Sequence, residues 1–250
     1  MQLNSLIRHL DELLRTSEIS DFSGALNGLQ LANNGTITKI GAAVDATLPV
    51  IEKAVAAGVD LLVVHHGLFW AGAQPITGAY FRKLQIALNA NLAIYSSHLP
   101  LDLHLTLGNN ILLAQRLGLT AIEPFFPEKG QLIGVRGIFQ SSRSALANRL
   151  EEILGSRPHL APGGPTSVSS IGIVTGGAGG EIARVAAAGI DTFITGEGPH
   201  HSFGLAEELG VNLFYGGHYA TETFGVCAVA AHLSEKFALP WEFIDHPTGL

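Results

Sequence analysis

A single cysteine, Cys227, stands among 250 residues, which excludes an internal disulfide framework and thiolate-rich zinc sites alike. Charge is scarce too: Asp, Glu, Lys and Arg make up 14% of the chain, against roughly 25% in an average globular protein. An apolar share of 47% nevertheless excludes disorder. No apolar run reaches the ~18–20 residues that a membrane span needs, because the stretch at 61–73 is broken by His65 and His66. The first residues mix Arg8, Asp11, Glu12 and Arg15 with apolar positions and carry no small-residue cleavage site, so no signal peptide is read and a cytoplasmic location is expected. With a formal net charge of −7 and no Lys/Arg cluster, neither nucleic acid nor membrane is an expected partner. Nor is there a G-x-x-x-x-G-K-[ST] loop, so any triphosphate would have to be held by metals or scattered side chains. Few charges together with a mean hydropathy of +0.31 point to surface covered by other subunits, and so to a homo-oligomer.

What the chain does contain is alternation. Leu3, Leu6, Ile7, Leu10, Leu13 and Leu14 recur at helical spacing. Residues 39–44, 60–64 and 92–96 then read as short buried strands, with helices beginning near Leu48, Arg82 and Leu107. After a stretch holding Pro124 and Pro127, strands are expected at 132–140, 170–174, 191–195 and 211–215. Helices are expected near 144–154, 181–188, 202–209 and 221–233, and a Pro/Gly/Ser-rich loop at 157–169. The pattern predicts an α/β protein of layered helices and mixed sheets. It also repeats. Ile40-Gly41 and Ala56-Ala57-Gly58-Val59-Asp60 match Ile171-Gly172 and Ala187-Ala188-Gly189-Ile190-Asp191 at one offset of 131 residues. Asn91-Leu92 leading to His98 resembles Asn212-Leu213 leading to His218. Two similar, interlinked halves are therefore expected, 1–125 and 126–250.

The histidines fall at strand ends, where ligands gather in α/β sheets. His65-His66 closes the apolar run Leu61-Leu62-Val63-Val64, and neighbouring strand residues point to opposite faces, so the pair converges on one cavity only if the strand breaks, as Gly67 would allow. Otherwise the two are separately satisfied. Asp102, four residues after His98, is open between a metal ligand and a helix or turn cap. His218 and Glu222 share a face if a helix includes both, as a metal-binding pair or as a plain surface pair. Three histidines and two carboxylates exceed what one tetrahedral catalytic zinc requires. Two ions sharing a bridging carboxylate would use all five, with zinc, iron, manganese or nickel equally suited.

Val64-His65-His66-Gly67-Leu68-Phe69-Trp70, His98-Leu99-Pro100-Leu101-Asp102 with Gly108-Asn109-Asn110, Thr195-Gly196-Glu197 with His200-His201, and Gly217-His218-Tyr219-Ala220-Thr221-Glu222 together resemble the dinuclear metal-centre family often labelled GTP cyclohydrolase 1 type 2 homolog. The early Asn27-Gly28-Leu29-Gln30 is similar to its N-terminal pattern, and the resemblance covers nearly the whole chain in the family's short form. It implies two divalent metal ions per chain, held between the halves by His65, His66, Asp102, His218 and Glu222, with Glu222 bridging. It also implies a toroidal homohexamer. His98 and His201 are left as proton-transfer candidates, and Glu197 and His200 as further cavity residues, Glu197 able to orient a metal-bound histidine.

Three functions follow as expectations. The first is a metal-dependent hydrolase acting on a small molecule, with GTP ring opening named: an activated water would attack C8 of the purine and formate would leave. The second is phosphoester or amide cleavage by the same metals. The third, of another class, is a metal-binding oligomeric scaffold or regulator without GTP cyclohydrolase activity.

Overall fold

The computed structural model describes residues Met1–Leu250, which divide into two compact units. Unit one comprises Met1–His104 and Gly225–His246, and unit two comprises Leu105–Phe224 and Pro247–Leu250. In chain order the first unit holds α1 (Leu3–Leu14), β1 (Gly28–Leu31), β2 (Ile40–Asp45), α2 (Leu48–Ala56), β3 (Leu61–His66), α3 (Gly78–Asn89), β4 (Ala93–Ser96) and α4 (Leu99–Asp102). The second holds α5 (Asn109–Leu117), β5 (Thr120–Glu128), β6 (Gln131–Ser142), α6 (Arg143–Leu154), β7 (His159–Pro162), β8 (Ser167–Ile173), α7 (Ile182–Ala187), β9 (Thr192–Thr195), α8 (His201–Leu209), β10 (Asn212–Tyr215) and α9 (His218–Thr221). Along α10 (Thr223–Phe237) the chain re-enters the first unit and ends its regular structure with β11 (Trp241–Phe243). No helix is long and apolar enough to cross a membrane.

The first unit is built on a five-stranded sheet of order β1-β4-β3-β2-β11, in which β4, β3, β2 and β11 run parallel. Parallel strands are covered on both faces, which is why β3 reads as an unbroken apolar run rather than an alternation. Its core gathers Ile51, Leu62, Val64, Leu92 and Ile94. The second unit's sheet has six strands in the order β5-β6-β8-β9-β10-β7, with β8, β9 and β10 parallel. Leu113, Leu146, Leu150, Ile171, Ile194 and Phe214 form its core.

The duplicated sequence blocks become duplicated structure. Ile40 pairs with Leu61 in the first sheet and Ile171 with Thr192 in the second, the same register at the same offset. Asp60 Oδ2 accepts hydrogen bonds from Thr38 N (2.7 Å), Thr38 Oγ1 (2.6 Å) and Lys39 N (3.0 Å). Asp191 Oδ2 accepts from Ser169 N (3.0 Å), Ser169 Oγ (2.7 Å) and Ser170 N (2.9 Å). In each case one carboxylate ties the start of one parallel strand to the start of the next.

The sequence reading missed four strands. β5 contains Pro124 and Pro127, residues that argue against a central strand, but it lies at a sheet edge where a lost ladder N–H costs little. β7, inside the expected loop at 157–169, is the opposite edge of the same sheet. β1 and β11, at four and three residues, are the edges of the first sheet and too short for a periodic signal.

Candidate metal centre

In the first unit the chemistry gathers at the carboxyl ends of β2, β3 and β4. β3 runs through His66 and ends there, with Gly67 the first residue outside the strand, where the break was expected. His65 is fully buried, His66 is half-buried, and one ring nitrogen each of His65, His66 and His98 lies within 4.8 Å of the others. Gly67 also leaves room for a neighbour: a Cβ there would collide with the Gln30 amide, whose Oε1 accepts from Leu68 N at 2.6 Å. Pro100 sits in the first turn of α4, where its missing N–H removes no helical bond, so the short helix forms and carries Asp102. Asp102 Oδ2 lies 3.5 Å from His65 Nε2.

Each imidazole is oriented through Nδ1. His65 Nδ1 donates to the carbonyl of Ser97 at 2.9 Å, and a carbonyl can only accept, so Nε2 is the nitrogen turned toward Asp102. His66 Nδ1 donates to Asp45 Oδ1 at 2.8 Å, and His98 Nδ1 to Asp21 Oδ1 at 2.8 Å. Burial opposes the charge on Asp21, but bonds from His98, from Asn27 Nδ2 and from the Phe22 amide outweigh it and hold the carboxyl below its ordinary range. Asn27 also accepts from His98 N at 2.7 Å, so the early Asn27 motif positions the loop that carries His98.

In the second unit His218 opens α9 and the buried Glu222 follows its last residue. The spacing brings His218 Nε2 to 3.1 Å from Glu222 Oε2, while His218 Nδ1 donates to Glu197 Oε1 at 2.8 Å. Burial works against protonation of His218, but the bonds and charges of Glu222 and Glu197 overcome it and raise its pKa to about 9. Gly176 lies against this pair; a Cβ there would run into Glu222 Oε1 and come within 3.3 Å of His218 Nε2. The backbone approaches closely because the carboxylate needs that space.

These donors fit divalent cations. Imidazole nitrogens whose other ring N–H is fixed by a carboxylate or carbonyl, beside buried carboxylate oxygens, are the usual environment of first-row metals. Two buried hydroxyls, Ser97 Oγ and Thr175 Oγ1, have no protein hydrogen-bond partner; Ser97 precedes His98 in sequence, and Thr175 precedes Gly176, which lies against the His218–Glu222 pair. The second set bears more charge on one imidazole: a cation at Nε2 of His218 would take the place of the proton that two carboxylates now stabilise.

Of the residues singled out from the sequence, His65, His66, His98 and Asp102 come together in the first unit, and His218 and Glu222 in the second. Glu197 orients His218. His201 is exposed at the first position of α8. Asp21 and Asp45 were not identified beforehand. Asp45 had one sequence signal, since it occupies the position in the first half that Gly176 occupies in the second.

Known proteins match the chain along its length. A model of the Duf34/NIF3 (NGG1p interacting factor 3) family matches residues 1–248. A "GTP cyclohydrolase 1 type 2 homolog" of Deinococcus radiodurans is 40% identical over 99% of this chain and 94% of its own length. One of Archaeoglobus fulgidus is 36% identical over the whole of both. Among solved structures, the protein TTHA1606 from Thermus thermophilus superposes with a TM-score of 0.93 at 41% identity, covering 100% of both chains. Reduced HcgD from Methanocaldococcus jannaschii gives 0.87 at 29% identity, covering 98% of each.

Proposed function

The chain belongs to the Duf34/NIF3 family, and from that membership and its two sets of oriented ligands we propose that it is a dinuclear divalent-metal protein acting as a metal-dependent hydrolase, GTP ring opening being the named candidate. His65, His66, Asp102, His218 and Glu222 would hold the ions, with Glu222 the shared ligand. Bound divalent ions supply Lewis acidity and lower the pKa of water. The observation that carries the reading is the common orientation of the imidazoles: His65, His66 and His218 each spend Nδ1 on a fixed acceptor and offer Nε2.

The remaining work belongs to side chains of this protein. Asp45, Glu197 and the Ser97 carbonyl hold the tautomers and ring planes, so the ligands need little reorganisation. His98, anchored through Nδ1 on Asp21 and with a ring nitrogen within 4.8 Å of those of His65 and His66, can carry a proton to or from a reacting group there. GTP is named because the curated relatives bear that name. Metal-loaded protein incubated with GTP should release formate, and His66→Ala should abolish the release. Turnover no greater than that of the His66→Ala control, at full metal loading, would remove GTP ring opening from the reading. If esters and amides were also left intact, the hydrolase would fall with it and a metal-binding scaffold would remain.

A further inference from the structure

The second unit contains a pocket of about 470 Å³ that none of the metal ligands lines. That volume lies within the ~300–1,000 Å³ of small-molecule sites. Its walls are aromatic. Tyr215 and His159 are directly opposed across the antiparallel β10–β7 pair, and their rings stack at 29° with centroids 5.8 Å apart. Phe203, from the first turn of α8, brings its ring to 5.6 Å from His159 at 35°. The Tyr215 hydroxyl is already used: Ser202 Oγ donates to the Pro199 carbonyl at 2.6 Å, and therefore accepts from Tyr215 at 2.7 Å. That chain fixes the Tyr215 ring and leaves its apolar surface to the pocket.

One wall carries a carboxylate. Glu197 lines the pocket and, through Oε1, holds His218. A carboxylate only accepts, so an occupant facing it must present N–H or O–H groups. Aromatic walls favour a flat π-system, stacked or edge-on. His200 adds a group that can donate or accept on the same rim.

We propose that this pocket receives the flat heteroaromatic ring of a small-molecule ligand, its ring N–H edge turned to Glu197. Glu197 then has two tasks, holding the ligand on one side and His218 on the other. The inference deepens the reading of the chain as a metal-dependent hydrolase, since it says where the substrate's ring docks. It requires nothing of the metals in order to be tested.

Calorimetry of the intact protein, metal-loaded and chelated, with guanosine, 1-methylguanosine and ribose tests it, each sample's metal content being measured separately. Guanosine should bind, 1-methylguanosine, which lacks the ring N–H, should bind about tenfold more weakly, and ribose should not bind. Phe203→Ala and His159→Ala should each weaken guanosine tenfold or more without changing metal content. In cobalt-loaded protein guanosine should shift the visible absorption through Glu197 and His218, and Phe203→Ala should abolish that shift. Guanosine binding to chelated protein would uphold the pocket even if the metal reading failed. Absence of binding in both forms, or equal binding by wild type and both variants, would overturn it. Variants that changed only the oligomeric size would assign the pocket to a subunit contact instead.

Discussion

The two units share a plan and differ where the chemistry is. Their strand registers agree, Asp60 and Asp191 make the same three bonds, and Gly58 and Gly189 turn the chain with φ of +68° and +75°. At the opposite ends of the same strands the correspondence stops. Asp45 stands where the second unit has Gly176, and His66 where it has Glu197. The first unit thus offers three imidazoles, each with one anchor, whereas the second offers one imidazole between two carboxylates. The strand starts have kept a structural task that admits one solution. The strand ends have divided the candidate ligands unevenly, His65, His66 and Asp102 in the first unit and His218 and Glu222 in the second.

Exchanging the diverged residues breaks this division most severely. Gly176→Asp would drive a side chain into the space of the Glu222 carboxylate, and metal affinity should fall more than a hundredfold, read by titration of the chelated protein. The reciprocal Asp45→Gly removes only the acceptor that orients His66, so a loss of about 10–100-fold is expected. Asp45→Asn, which keeps an acceptor oxygen, should recover part of it.

A pH comparison isolates the His218 pairing. In the metal-free protein His218 titrates at about 9 rather than the ordinary 6.5. A pKa raised on folding gives stability that is complete below pH 6.5 and lost as pH rises through about 9. The thermal midpoint of chelated wild type should therefore fall more between pH 6.5 and 9.5 than that of His218→Gln, and equal slopes would refute the pairing. The smallest contrast is expected where the units agree. Asp60→Asn and Asp191→Asn should each cost about 2 kcal/mol by denaturant unfolding, equally and with metal content intact, since each removes one charged acceptor of the same three donors.

The sequence disclosed most of the parallel strands, because burial on both faces writes them as apolar runs such as Leu61-Leu62-Val63-Val64. It disclosed the repeat because the Ala-Ala-Gly-x-Asp turn is held by one carboxylate clasp in both units. The edge strands left no such mark: β5 carries two prolines and β7 ends on Pro162, both permitted only at an edge. The candidate ligands stood out as histidines and carboxylates at strand ends. Asp21 and Asp45 did not, since each reaches its histidine through tertiary structure, 77 and 21 residues away in sequence. The aromatic pocket was equally hidden, for it depends on β7, a strand the sequence does not announce.

Metal content per chain, by elemental analysis of protein purified without chelators or a histidine tag, tests the division of ligands most directly, with His65→Ala and Glu222→Ala alongside. About two equivalents in wild type, lost in both variants although they alter different units, is the expected result. No metal after reconstitution with zinc, iron, manganese and nickel in turn, or full occupancy that survives Glu222→Ala, would contradict it.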